Sequence, residues 1–318
     1  MTVTGTAILV LGSGSLARAL CLGLATVVGQ EIDVTILARD EAAAEELAYL
    51  CQARAAQAGL PRRFTARGAS LTDKAELDRA VSAATIAVQC ASWYSPWSAP
   101  PRLTALVAET GFGVTLPLQA RLAIETAQAI QRIGSPTLFV NACYPDAVNP
   151  LLAGLGLPVF CGVGNVATLA VGLRAHLGTA GHLKLLAHHD HLHAPAHPED
   201  EALAWLDDVA VAEVGKLLAR QRGVDRRRLN HITGFAAALV LAAMAAEEEI
   251  ATNLPGPLGL PGGYPVRLTG RALTLDLPSG LDEAAATAFN ERAAAREGVV
   301  LGDDVDDVIA AANRLAAT

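Results

Sequence analysis

Apolar and polar positions along the chain fall into two alternating rhythms. An apolar run at 6–11 precedes a stretch with helical spacing at 15–28; a second apolar run, 32–38, precedes a helical stretch rich in Ala and Glu at 40–58. After Pro61 a short strand is expected near 63–68, and a small helix starts at Thr72. Residues 85–90, Thr-Ile-Ala-Val-Gln-Cys, are largely apolar, as in a strand buried on both faces of a parallel sheet. A loop over 91–101, helices at 102–109 and 117–133, and a strand at 137–140 ending at Asn141 follow. Strand and helix alternate throughout this half, so right-handed crossovers predict one parallel sheet with a crevice at the carboxyl ends of its strands.

Beyond it the pattern loosens. A helix is expected at 146–155, a strand at 157–162, a helix at 166–177 and a strand at 182–189. Helices at 199–221 and 227–252, a hairpin with strands at 264–268 and 271–276 after the Gly/Pro-rich stretch 255–263, and a final helix from 282 complete the reading. The expected fold class is α/β: an N-terminal domain over 1–145 and a mixed α+β domain over 146–318.

The sharpest local signal lies where the first run meets the first helix, at Gly12-Ser13-Gly14-Ser15-Leu16-Ala17. Gly12 permits a tight turn, Gly14 lets backbone approach a pyrophosphate, and the small Ala17 lets helix and strand pack closely above a phosphate at the helix N-terminus. With a strand before it and a helix and returning strand after it, the motif predicts a Rossmann-type dinucleotide site. The returning strand ends in Ala38-Arg39. An acidic residue there would bind the ribose hydroxyls of NAD, whereas an arginine fork suits a 2′-phosphate, so NADP(H) is the expected cofactor. Asp40 follows directly and is a rival partner for Arg39.

Composition narrows the partners. Over 318 residues, 52% are hydrophobic and 18% charged, enough apolar side chain for two cores. A net charge of -8 argues against nucleic acid, and the basic triplet Arg226-Arg227-Arg228 reads as a solvated helix start. The apolar stretch 235–246 is too short to span a bilayer and reads as a core helix. The five cysteines show no paired spacing; that, and a start lacking a charged leader, predict a cytoplasmic protein. The apolar 227–252 segment suits a homodimer interface.

Four of the eight histidines lie within 188–193. An imidazole titrates near neutrality and can pass a proton to a carbonyl oxygen as hydride arrives at its carbon. Set on Pro195, this segment resembles the Gly-Glu-His-Gly-Asp segment of the lactate/malate dehydrogenase family, which puts His189 on the catalytic histidine. The order of parts is also similar. Asn141-Ala142-Cys143-Tyr144-Pro145-Asp146 resembles that family's Asn-Pro segment, Gly164-Asn165-Val166-Ala167-Thr168 its Leu-Asp-x-x-Arg helix start, and Thr233 its pocket threonine. The segment from Gly263 resembles its C-terminal hairpin and helix.

The resemblance implies a proton-transferring His189 oriented by Asn165, with Asn141 on the substrate oxygen or nicotinamide ribose, Ala91 beside the cofactor, and Thr168 and Thr233 in the pocket. Departures accompany it. Asn165 and Thr168 stand where the family has an aspartate and a carboxylate-clamping arginine, and the loop from Ala91 has no basic residue before Arg102. A non-standard small-molecule substrate is therefore expected, under a lid bearing Trp93 and Trp97; Arg121 and Arg174 are substitute cations. Rival readings are a metal site from the alternating His189, His191 and His193 with Asp190 or His197, a cofactor-binding protein without hydride chemistry, and an imine or ketone reductase similar to ketopantoate reductases. The second domain of the last is all helical, so the hairpin discriminates.

Overall fold

In the computed structural model, which describes residues 5–302 and 304–317, the sheet is built from six parallel strands. They are β1 (Thr6–Leu11), β2 (Ile32–Ala38), β3 (Arg62–Gly68), β4 (Ile86–Gln89), β5 (Leu138–Asn141) and β6 (Cys161–Gly162), in spatial order β3-β2-β1-β4-β5-β6. The order reverses between β1 and β4, and the crevice opens outside their carboxyl ends. Strand β6 and the helix before it lie beyond residue 145, so the sheet takes its last strand from the second half.

Helix α1 (Ser15–Leu24) leaves β1 through the glycine turn. Helices α2 (Glu41–Gln57), α3 (Lys74–Ser82), α4 (Pro101–Thr110), α5 (Leu116–Ile133) and α6 (Pro145–Gly154) connect the remaining strands. Among the described residues α1 has no side-chain cap, whereas Asp40 caps α2 by accepting from the Ala43 amide at 3.0 Å. Asp40 is therefore committed to α2 and forms no pair with Arg39.

The second half carries α7 (Asn165–Leu177), β7 (Leu183–Leu186), β8 (Leu203–Leu206), β9 (Val209–Ala210), α8 (Val214–Arg222) and α9 (Arg226–Ala246). Strands β10 (Glu249–Pro255), β11 (Gly263–Thr269) and β12 (Ala272–Leu275), then helices α10 (Glu283–Arg296) and α11 (Val305–Ala316), follow. Strands β7-β8-β9 and β10-β11-β12 form two antiparallel sheets.

Three expectations need correcting. Residues 199–221 are not one helix, because β8 and β9 form a two-residue hairpin at Asp207-Asp208, both at positive φ (49° and 64°). Such a turn needs the left-handed region at both positions, which Asp tolerates. The helix expected to 252 stops at Ala246, where Glu247 turns left-handed (φ 55°) and β10 begins. The last helix breaks at Gly298 (φ 77°), giving α10 and α11.

The two halves meet through small residues. A Cβ on Gly23 would lie 2.8 Å from Ala238 Cβ, and one on Gly234 would lie 2.5 Å from Ala19 Cβ, so α1 and α9 touch where neither side chain could grow. Helix α9 is 21 residues long and apolar enough to cross a membrane, with 61% of its most apolar window buried within the protein. Its inner face, including Leu241 and Met244, joins the core on that side of the sheet.

Candidate active site

At the nucleotide end, Gly12 sits at φ 115° with its amide donating to Leu37 O at 2.8 Å. A Cβ there would come within 3.0 Å of Ala91 Cβ, so the turn after β1 packs directly on the turn after β4. Before Gly14 there is open space: a Cβ would meet nothing within 4 Å. Gly14, Ser15 and the uncapped first turn of α1 thus form an exposed row at the carboxyl edge of the sheet, with Ser13 and Leu16 half-buried beside them. A dinucleotide pyrophosphate fits this cradle. Arg39, past the buried Ala38, is exposed and forms no hydrogen bond or ion pair among the described residues.

The histidine cluster is a short 3-10 turn, His189–Leu192, so the strand alternation expected to carry three imidazoles on one face is lost. The three go to different places. The Nδ1 of His189 faces Glu297 Oε1, His191 Nε2 donates to Asp200 O at 2.9 Å, and His193 Nε2 accepts from Arg226 at 3.1 Å. Among the described residues no group of three His, Cys, Asp or Glu is arranged to hold a metal.

His189 lies at the carboxyl edge of the sheet. Its ring stacks on Phe112 at 4.5 Å between centroids and 17° between planes, and meets Tyr144, just after β5, edge-on at 5.0 Å. Glu297, which ends α10, is 6% exposed and is held by His189 and by the Tyr144 hydroxyl donating at 2.6 Å, while His188 Nδ1, 3.4 Å away, accepts from the Asp190 amide. The backbone locks this turn in place. Gly113 N–H donates to Glu297 O at 2.8 Å, and a Cβ on Gly113 would fall 2.3 Å from the Gly298 carbonyl carbon.

These contacts set the charges. Burial would push the Glu297 carboxyl up, but the charge and hydrogen bond of His189, with the Tyr144 hydroxyl's hydrogen bond, hold it down at about 2. Burial would push His189 down, yet the charge and hydrogen bond of Glu297 and the charge of Asp146 leave it above the ordinary imidazole range. Burial drives His188 to about 3, so it stays neutral. The cluster is a buried carboxylate–imidazole pair whose contacts favour the protonated ring, and Nε2 of His189 has no hydrogen-bond partner among the described residues.

The other expected site residues divide. Asn165, at the start of α7, forms no hydrogen bond to His189; the side chain that faces the ring nitrogen Nδ1 is Glu297. Asn141 does not face a substrate either. Fully buried, its amide donates to Cys143 O at 3.1 Å and Asn149 Oδ1 at 2.9 Å and accepts from the Cys143 amide, so it holds the β5–α6 turn. Thr168 and Thr233 are brought together, hydroxyl to hydroxyl at 2.6 Å, both buried. Trp93 and Trp97 are 41% and 39% exposed, and each lies under a guanidinium: Arg121 at 5.3 Å from Trp93, Arg227 at 4.9 Å from Trp97. Arg121 is nearly buried and paired with Glu125 at 2.6 Å, while Arg174 serves the backbone oxygens after α7. The basic triplet is not wholly solvated, since Arg226 is half-buried against Leu192 O.

No protein-family model matches the chain, nor does any curated protein. Solved structures do. The malate dehydrogenase of Picrophilus torridus in its apo form superposes with a TM-score of 0.62 at 11% identity, covering 99% of each chain. The fold is that of the malate and lactate dehydrogenases. The malate dehydrogenase of Aeropyrum pernix matches at a TM-score of 0.57 and 16% identity over 97% of this chain and 99% of its own. The lactate dehydrogenase of Cryptosporidium parvum, solved with lactic acid and nicotinamide adenine dinucleotide, matches at 0.54 and 15% identity over the whole of both chains.

Glu297 is the residue sequence reasoning missed. It stands 108 positions from His189, and no motif surrounds it. One signal was available: an acid at the C-terminal end of a helix opposes the macrodipole, which implies a positive partner elsewhere.

Proposed function

We propose that the protein is a divergent member of the lactate/malate dehydrogenase family, an NADP(H)-dependent oxidoreductase that interconverts a carbonyl and an alcohol. The observation that carries the reading is the His189–Glu297 pair at the carboxyl edge of the sheet that bears the glycine turn. Gly12 to Leu16 would receive the pyrophosphate, and Arg39, left free by the capping role of Asp40, would receive the 2′-phosphate. The bound nicotinamide supplies or accepts the hydride. Held protonated by Glu297, His189 gives its Nε2 proton to a carbonyl oxygen; after the reverse step the same carboxylate stabilises the imidazolium that forms. Glu297 also fixes the tautomer, because Nδ1 must carry hydrogen while it faces a carboxylate.

The substrate is a non-standard one. Thr168 pairs with Thr233 where a clamping arginine would stand, and the lid offers Trp93 and Trp97 rather than a free cation. Two rivals lose support: the diverging histidines disfavour a metal site, and the antiparallel β10-β11-β12 sheet disfavours a reductase with an all-helical second domain. One observation favours a second reading, a cofactor-binding protein without hydride chemistry, because Phe112 covers one face of the imidazole. Purified protein tested against a panel of aldehydes, ketones and 2-oxo acids decides between them. NADPH consumption that His189→Asn abolishes supports the enzyme; tight NADPH binding with no turnover supports the second reading.

A homodimer in the cytoplasm completes the proposal. Ile232, Phe235 and Leu239 of α9 are 41%, 48% and 46% exposed, an apolar stripe bordering α1 at Gly23 and suited to a two-fold contact. Light scattering on the wild type and on Phe235→Asp tests it.

A further inference from the structure

We propose that Tyr144 is a positioning residue for the acid–base group: its hydroxyl holds the Glu297 oxygen that the imidazole leaves free, fixing the carboxylate's aim and letting His189 release its proton at lower pH than Glu297 alone would allow. The inference rests on the reading of His189 as the proton carrier.

The two oxygens of Glu297 are divided between two side chains. Oε1 faces His189 Nδ1, and Oε2 accepts from the Tyr144 hydroxyl at 2.6 Å. Tyr144 and Glu297 are 5% and 6% exposed, so this bond lies where water screens it least. The same tyrosine ring meets the imidazole edge-on at 5.0 Å and 71°, and Phe112 at 4.9 Å and 83°. Its backbone is the unusual part. Tyr144 stands just before α6 at φ 47° and ψ 53°, a left-handed conformation that a bulky residue adopts at a cost and a glycine would adopt freely. The turn alone does not call for a tyrosine; what the side chain adds is a hydroxyl that reaches Glu297, 153 positions later.

A carboxylate that accepts a hydrogen bond gives up part of its charge to the donor and pulls less on a proton held elsewhere. The imidazole on Oε1 therefore meets a softened charge, one that still favours the protonated ring but less than an unshared carboxylate would. Burial and the charge of Glu297 push the Tyr144 hydroxyl well above the ordinary phenol range, so it keeps its proton and stays a donor. The other groups acting on the imidazole are Asp146 on α6, Arg226 on α9 and the adjoining His188, which burial keeps neutral. Asp190, paired with Arg296 at 3.1 Å, and His193, beside Arg226, follow in the chain. Removing one hydroxyl leaves all of these in place.

The test is an NMR titration of ¹⁵N-histidine-labelled protein, with the His189 signals assigned by their loss in His189→Asn. In Tyr144→Phe, which keeps the ring and deletes the donor, the His189 midpoint should rise by about half to one pH unit, a roughly three- to tenfold tighter hold on the proton. Placing 3-fluorotyrosine at position 144, where the fluorine makes the hydroxyl a stronger donor, should lower the midpoint and serves if the Phe variant folds poorly. A midpoint that stays or falls in Tyr144→Phe, or that stays or rises with the fluorinated residue, overturns the inference, since a merely structural tyrosine would change melting temperature without moving this titration in the stated direction. Because the measurement needs no substrate, the expected shifts in a protein that reduces no carbonyl compound support the role of Tyr144 while overturning the reaction it would serve.

Discussion

The glycine turn and the imidazole sit at the same edge of one sheet, yet they are assembled by different means. Gly12 to Leu16 need β1, α1 and one contact with Ala91. His189 draws its charge partner Glu297 from 108 residues later, its stacking partner Phe112 from the α4–α5 connection, and its edge-on neighbour Tyr144 from the start of α6. A phosphate cradle made of backbone tolerates change in remote parts of the chain, because local geometry alone creates it. A charged imidazole made of tertiary contacts does not.

The comparison can be broken most directly at His189. His189→Asn should lower turnover by about 10²-fold or more while NADPH affinity measured by fluorescence titration stays nearly unchanged; coupled losses would mean that the two sites are not separable. Next in size is Glu297→Gln, which leaves the buried pair without its negative member and should cost about 3 kcal/mol in denaturant unfolding. The sign of its pH dependence is set by the depressed carboxyl. The stability that Glu297 adds is fully present above the ordinary carboxylate range and is lost as pH falls toward about 2, so the acid limb of the melting curve should flatten in the variant. His189 acts on the opposite side: raised in the folded protein, it adds stability below its ordinary value that is lost as pH climbs through the folded one.

A Cβ at Gly113 would drive into the Gly298 backbone, so Gly113→Ala should destabilise by roughly 1–3 kcal/mol and, if the imidazole depends on this turn, lower the His189 midpoint as well. At the other region, Arg39→Ala should weaken NADPH about tenfold and leave NADH alone; an equal response of both cofactors would refute the phosphate assignment. The smallest effect is expected of Trp97→Ala, which removes an exposed cation–π contact with Arg227 of about 0.5–1 kcal/mol and should alter KM more than stability.

What could be read from the chain follows the same division. The strand–turn–helix order around Gly12 was legible because its period, its glycines and its small residues are all local. His189 was legible only through its place in a resembling segment. Its orienter was not, because the resemblance directs attention to Asn165 while the charge sits on Glu297, a choice made by how α10 packs. Asn141 was misassigned for a related reason: an amide after a central strand looks available until the turn that consumes its donors is seen. The β8–β9 hairpin was missed because Asp-Asp at two left-handed positions carries a weaker turn signal than a glycine pair.

One contact links the ligand-side loop to the chemistry. The peptide units of Gly111 and Gly113 lie so close to those of Glu297 and Gly298 that neither pair can move alone. The ring's cover, Phe112, and its charge partner, Glu297, therefore hang from one backbone junction, so a change at that junction reaches both.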